Sequence, residues 1–120
     1  MNELANPLEL CGFEFIEFVA KDKELDEIFQ TIGFSKVAKH KSKNVYLWRQ
    51  GNINIILNYQ PESAAAYFFK EHGPSACAMG FRTKDAAKAF NKAIELGAEP
   101  IYSKIGPMEL NIPAIKGIGG

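Results

Sequence analysis

The feature that most constrains the fold of this chain is an internal repeat. Residues 18–34 (FVAKDKELDEIFQTIGF) and residues 80–98 (GFRTKDAAKAFNKAIELGA) contain the same order of local signals. Each segment begins at the end of an apolar strand, and a polar turn with an aspartate follows. Apolar residues at helical spacing come next and end at Ile-Gly or Leu-Gly. A unit of about 60 residues that occurs twice predicts a fold made of paired modules.

The first module is expected to begin with a strand from Cys11 to Ala20, with apolar residues on both faces (Phe13, Phe15 and Val19 on one, Ile16 and Phe18 on the other). Asp22 is expected to cap the helix that follows and Gly33 to end it. The apolar stripe of that helix is predicted at Leu25, Ile28, Phe29 and Ile32. Three strands should follow, at 34–38, 45–49 and 53–57, with a turn at 50–52.

A linking helix is predicted from Ser63 to Glu71, and the pattern then begins again. The second module should contain a strand at 76–81, a helix that Asp85 caps and Gly97 ends, and strands at 100–104 and 108–112. The predicted divisions are a lead-in over 1–9, module one over about 10–60, a linking segment over about 61–73 and module two over about 74–120.

Paired β-α-β-β-β modules form an open barrel, so the predicted class is α+β. Module one supplies every strand of its set, whereas module two stops after β-α-β-β, one strand short. An uncovered sheet edge can pair with another chain, so a homodimer is also expected.

Composition limits the classes of function. The chain has 120 residues, 47% of them hydrophobic, and 14 basic and 14 acidic residues. One domain with a core fits these values, and the zero net charge argues against nucleic-acid or anionic-membrane partners. Cys11 and Cys77 lie in apolar runs without a CxxC partner, so we expect two buried free thiols and a cytoplasmic location.

The repeat, together with GFEFIEF, SKNVYLWRQGNINIILN, EHGPSACAMGFRTKDA and GPMELNIPAIKGIGG, resembles the vicinal-oxygen-chelate superfamily. Within it, the chain is most similar to the N-terminal domains of bacterial 4-hydroxyphenylpyruvate dioxygenases, from about Leu10 to Gly120. The resemblance implies a parent enzyme that converts 4-hydroxyphenylpyruvate and O2 to homogentisate and CO2 in tyrosine catabolism. It also implies that Fe(II) is held by two histidines and a glutamate in a C-terminal barrel, on which this domain packs.

The resemblance also indicates where a metal ligand would lie if this domain bound one. These positions fall on Glu14 or Phe15 in the first strand and near Ala78 in the second module, where the candidate positions are Ala76, Ala78 and Gly80. The third ligand would lie on the strand that is lacking. We therefore expect no catalytic, cofactor-binding or metal-binding residue in this chain, and no turnover by residues 1–120 alone.

Other candidate residues have ordinary structural explanations. His40 is expected in a solvated, lysine-rich turn, and His72 at a helix C-terminus, where a protonated imidazole is favoured. Glu14 is predicted to line the barrel cavity as a hydrogen-bonded wall residue or to contact another subunit. Glu109 is predicted to form a salt bridge or to lie on the surface of an edge strand. Tyr46, Trp48 and Tyr59 could stack on an aromatic ligand, although aromatic residues in strands are usually core.

Two functions thus remain open. The chain is either the structural, subunit-associating N-terminal domain of the dioxygenase or a stand-alone module of the same superfamily that binds an aromatic small molecule.

Overall fold

The computed structural model describes residues 5–102 and 112–117. The described elements follow the order β-α-β-β-β, a linking helix, and then β-α-β-β. They are β1 Leu10–Val19, α1 Asp26–Thr31, β2 Ser35–Lys39, β3 Val45–Gln50, β4 Ile53–Asn58, α2 Ala64–His72, β5 Ser75–Thr83, α3 Ala86–Glu95, β6 Pro100–Ile101 and β7 Ala114–Ile115. The mixed α+β class is confirmed.

Five strands form one sheet in the order β2-β3-β4-β1-β5, and β6 and β7 form an antiparallel pair. The outer strands of module one are antiparallel, and β1 pairs with β4 in parallel from Ile16↔Ile55 to Val19↔Asn58. The turn predicted at 50–52 between β3 and β4 is present and comprises Gly51 and Asn52, with Gly51 at φ 57°. Within the described residues the strands do not close into a barrel. The predicted strand at 108–112 lies almost entirely outside them.

The described residues pack as two compact units, residues 13–81 and residues 5–12, 82–102 and 112–117. In the first unit, α1 packs on one face of the sheet. The core there contains Phe29 and Phe34 from α1 and its end, with Trp48, Ile55 and Leu57 from the strands. Leu57 is fully buried, at 0% exposure.

In the second unit, α3 buries Ala89 and Ala93. The lead-in segment contacts the beginning of this helix, because the Glu9 carboxylate forms salt bridges with Lys88 (3.1 Å) and Lys84 (4.0 Å). The Glu9 backbone carbonyl also accepts a hydrogen bond from the Lys84 amide.

The helix ends confirm the repeat in atomic detail. The Gly33 amide donates to the Gln30 carbonyl and the Phe34 amide to the Phe29 carbonyl, which is the Schellman arrangement. Gly97 and Ala98 make the same two bonds at the end of α3, to the carbonyls of Ile94 and Ala93. Gly33 (φ 102°) and Gly97 (φ 106°) occupy the left-handed region that this arrangement requires.

Asp85 caps α3 as predicted, by accepting from the Lys88 amide. Ser63, predicted as the first residue of the linking helix, is instead its N-cap and accepts from the Ala66 amide. The prediction for α1 was wrong, because its N-cap is Leu25 and the side chain of Asp22 does not cap it. Asp22 instead accepts a hydrogen bond from the Asn44 side chain, at 2.7 Å.

The apolar stripe of α1 is narrower than predicted. Phe29 is buried and Leu25 packs against the core, but Ile28 and Ile32 are each 56% exposed. A helix of six residues rests on the sheet by one turn, so only part of the stripe is covered.

Among the described residues, no helix is long and apolar enough to cross a membrane.

Candidate functional site

The face of the sheet opposite α1 carries a small polar group, Glu17, Asn58 and Cys77. Ile16 and Phe18 pack against the α1 core, and their register partners Ile55 and Leu57 lie beside them. Because side chains alternate along a strand, Glu17 and its neighbours point to the other face. This face is half-buried, and it is where a site built on the strands would lie.

Glu17 is the centre of a small polar cluster on that face. Its Oε2 atom accepts a hydrogen bond from Asn58 Nδ2 at 3.0 Å. The Cys77 thiol donates to the Glu17 backbone carbonyl and to Oε2, both at 3.6 Å. Burial, and then the negative charge of Glu17, raise the pKa of Cys77 to about 12. Cys77 therefore stays a protonated thiol at neutral pH and lacks the thiolate that nucleophilic catalysis needs.

The acidic residue on this face differs from the one that was expected. Glu14 was predicted to line the cavity, but it is exposed. It lies on the same face of β1 as Ile16 and Phe18, which is the face that α1 covers. Its backbone carbonyl accepts from the Asn54 side chain. Alternation along the strand places Glu17 with Phe15 and Val19 and opposite Glu14, but it does not indicate which of the two faces α1 covers.

In β5, the positions that the resemblance assigned to a metal ligand are occupied by apolar packing. A Cβ atom added at Gly80 would lie less than 3 Å from three ring atoms of Phe15. The phenyl ring thus fills the space that a side chain at Gly80 would take. Ala78, two residues earlier, has no donor atom in its side chain.

An iron site does not fit the residues present. Within residues 5–102 and 112–117, no group of three His, Cys, Asp or Glu side chains could hold a metal ion. The facial arrangement used for Fe(II) needs two histidines and a carboxylate, and Phe15 takes part of the space where one ligand would stand.

Both histidines have structural contacts. The His40 Nδ1 atom accepts hydrogen bonds from the backbone amides of Ser42 (3.2 Å) and Lys43 (3.1 Å), which closes the turn between β2 and β3. His72 is the last residue of α2, as predicted, and its ring lies 4.3 Å from the Phe68 ring.

Trp48 and Tyr59 are core residues, at 4% and 6% exposure. The Tyr59 hydroxyl donates to Asp26 Oδ1 at 2.7 Å, and Lys36 lies 3.6 Å from the other oxygen of that carboxylate. Burial and the hydrogen bond to Asp26 raise the pKa of Tyr59. Tyr46 is partly buried beside Tyr59, with 6.2 Å between ring centroids.

The prediction of two buried thiols was wrong for Cys11. Both cysteines are free, but Cys11 is exposed and Cys77 is half-buried. Glu109 lies outside the described residues.

A cleft of about 390 Å³ lies beside α2 in the first unit. Its walls come from the end of β1, the connection between β4 and α2, and α2 itself. The lining is mainly apolar and aromatic, and the sequence patterns did not indicate it.

Comparison with known proteins identifies the family. Residues 4–120 match the family described as hydroxyphenylpyruvate dioxygenase, HPPD, N-terminal. The 4-hydroxyphenylpyruvate dioxygenase of Pseudomonas sp. (strain P.J. 874) is 60% identical over 116 residues, which are 96% of this chain and 32% of that protein. Hemolysin VllY of Vibrio vulnificus (strain CMCP6) is 51% identical over 124 residues, covering 100% of this chain and 35% of that protein.

A solved structure agrees with these matches. The xylose isomerase-like TIM barrel/4-hydroxyphenylpyruvate dioxygenase fusion protein superposes with a TM-score of 0.81 at 37% identity, over 97% of this chain and 20% of that chain. The chain belongs to the family of hydroxyphenylpyruvate dioxygenase N-terminal domains. It spans about a third of the length of the curated relatives it matches.

Proposed function

We propose that this chain is the structural, non-catalytic N-terminal domain of a 4-hydroxyphenylpyruvate dioxygenase. The observation that carries the proposal is 60% identity to a protein of that name over nearly the whole chain, which covers only 32% of that protein. The parent enzyme would convert 4-hydroxyphenylpyruvate and O2 to homogentisate and CO2 in tyrosine catabolism.

The chemistry is proposed to lie in a C-terminal barrel, which would hold Fe(II) with two histidines and a glutamate. The Phe15 ring beside Gly80 supports this division, because the ligand positions expected in β5 provide packing and no donor atoms. Residues 1–120 would contribute a folded surface for that barrel and no catalytic, cofactor-binding or metal-binding residue.

The proposed partners are the catalytic barrel and a second copy of the protein, in the cytoplasm. Large apolar side chains are available for such contacts: Phe13 is 67% exposed and Phe81 is 49% exposed, and their rings lie 5.2 Å apart. Exposed aromatic pairs of this kind are common in protein interfaces. The free thiols are compatible with a reducing compartment.

A second candidate is a stand-alone module that binds an aromatic small molecule, and the cleft beside α2 favours it. The gene distinguishes the two functions. An open reading frame that continues past codon 120 into a second barrel with two histidines and a glutamate supports the dioxygenase, and a stop codon supports the module.

The enzymatic test measures oxygen uptake and homogentisate with Fe(II), ascorbate and 4-hydroxyphenylpyruvate. The 120-residue chain should show no uptake above an iron-only control, whereas the protein expressed from the whole gene should turn over. Iron analysis after desalting should find metal in the whole protein only. Uptake by residues 1–120 would contradict the proposal.

A further inference from the structure

The cleft beside α2 has a buried floor and an exposed rim. Val19, Ala20 and Tyr59 form the floor, at 2%, 6% and 6% exposure. Phe69 and Ala66, on α2, line one side. A volume of about 390 Å³ is in the range of small-molecule sites, which are mostly apolar with a few polar groups.

The wall between β4 and α2 is held by hydrogen bonds. Gln60 Oε1 accepts from the Asn44 amide at 2.8 Å, and the Gln60 amide donates to Asn58 Oδ1 at 2.9 Å. The Ser63 hydroxyl donates to the Gln60 carbonyl at 3.1 Å. The side-chain hydroxyl of Tyr59 is fixed on Asp26. Because the wall is already ordered, a ligand would have little ordering cost to overcome.

Charged residues lie at opposite ends of α2. Glu62 precedes the helix, in a turn where its φ is 60°, and Lys70 is in the last turn. The Lys70 ammonium lies 5.8 Å from the centroid of the Tyr67 ring at the rim. Among the described residues no carboxylate forms a salt bridge with Lys70, so its charge is available to an anion.

We propose that this cleft binds a small aromatic carboxylate. The aromatic ring would lie over Val19, Ala20 and Tyr59, and the carboxylate would contact Lys70. Glu62 would repel the carboxylate from the other end and so fix the direction of the ligand. The proposal goes beyond a structural role for the domain. It rests on the second candidate function, the binding of an aromatic small molecule, and it names the class of ligand and the residues that would hold it.

The test is a titration of the ¹⁵N-labelled chain with 4-hydroxyphenylacetate, followed by amide chemical shifts. Saturable shifts should centre on Ala20, Gln60, Ala66 and Lys70, with a dissociation constant on the order of millimolar for a ligand of this size. The variant Lys70→Gln should weaken binding about two- to fivefold, the range for an exposed ion pair. It should leave the binding of neutral p-cresol unchanged.

Two further variants make the result specific. Lys39→Gln removes a lysine from the exposed strand β2, outside the cleft, and should bind both probes as the unmodified chain does. Ala66→Leu fills the cleft and should weaken both probes, with an otherwise unchanged spectrum to show that the chain is folded. The proposal is overturned by shifts that do not saturate, by shifts that centre elsewhere, or by equal binding of the acid to the Lys70→Gln and unmodified chains.

Discussion

Substitution of Gly80 tests whether the ring of Phe15 takes the place of a side chain in β5. The residue lies in a strand interior, where glycine normally costs about 0.5–1 kcal/mol relative to alanine. Gly80→Ala would therefore stabilise the protein if the space were open. The structure predicts the opposite, because three ring atoms of Phe15 lie within overlap distance of the new Cβ.

The size of the effect follows from two opposed contributions. Forcing an extra methyl group into a packed site costs about 1–3 kcal/mol. The strand preference of alanine offsets about 0.5–1 kcal/mol of this cost. Phe15 is half-buried and its ring can turn, which favours the lower part of the range. We expect Gly80→Ala to lower the free energy of unfolding by about 1 kcal/mol.

A double-mutant cycle isolates the contact. Phe15→Val removes all three overlapping ring atoms and keeps a residue that favours strands. In that background Gly80→Ala should become neutral or stabilising, since only the strand preference remains. The coupling free energy between the two positions is then about 1–2 kcal/mol, above the 0.3–0.5 kcal/mol scatter of independent sites.

The assay is urea unfolding of the four proteins, followed by Trp48 fluorescence. Gly117→Ala is the matched control, because a Cβ there meets no atom within 4 Å and its φ is not positive; it should be close to neutral. The reasoning is refuted if Gly80→Ala stabilises the unmodified protein, or if its effect is the same with phenylalanine and valine at position 15.

Three further predictions concern other contacts. Tyr59→Phe should lower stability at pH 7 by about 1–2 kcal/mol through loss of the hydrogen bond to Asp26. Because the pKa of Tyr59 is raised in the folded state, its contribution is full below about pH 10 and is lost as the pH rises further. Urea midpoints should thus fall less steeply above pH 10 in Tyr59→Phe; an identical slope in both proteins would contradict this. At pH 8, a pKa near 12 gives Cys77 about a thousandfold less thiolate than an ordinary thiol has. Ellman's reagent should therefore react quickly with the Cys77→Ser variant, which keeps the exposed Cys11. It should react very slowly with the Cys11→Ser variant, which keeps Cys77. Equal rates would show that Cys77 is not held as a thiol. Asp85→Ala removes the cap of α3 and should lower the free energy of unfolding by about 1 kcal/mol. Asp22→Ala removes no cap. Equal losses of α-helical circular dichroism in the two variants would contradict the assignment of Asp85 alone as a helix cap.

The sequence could predict the helix ends because those signals are local. A cap joins residues three positions apart, and a Schellman turn joins residues within five positions. Asp85, Gly33 and Gly97 therefore act where the patterns place them, and Ser63 lies within one residue of the predicted helix start. The module order follows from the same local signals, repeated.

The start of α1 could not be predicted in this way. Asp22 and Asp85 both follow a lysine in the repeat, yet only Asp85 caps a helix. Asp22 is held by Asn44, which is 22 positions away, and Lys23 adopts φ 60°. Glu24 then accepts from the Lys21 amide, so a turn replaces the first helical residues. The hydrogen bond from the distant Asn44 thus takes the place of the capping bond that the local sequence around Asp22 predicted.

The face of an acidic residue is also a long-range property. Glu14 and Glu17 are similar in their local context, but the parallel register of β1 with β4 sets which face each occupies. Glu17 thereby joins Asn58 and Cys77, whereas Glu14 stays with the α1 side.

At Gly80, a metal ligand would need both a side chain with a donor atom and the space that the Phe15 ring now fills. A glycine in a strand can mark a bend or a close approach, and the sequence does not distinguish them. The structure assigns a close approach, by Phe15. A histidine placed at position 78 or 80 would supply a donor atom but would not restore the volume that the ring fills. Two more ligands would still be needed, and the described residues hold no cluster to provide them. Because the Phe15 ring packs against Gly80, we expect single substitutions here to change the stability of the domain before they give it metal affinity.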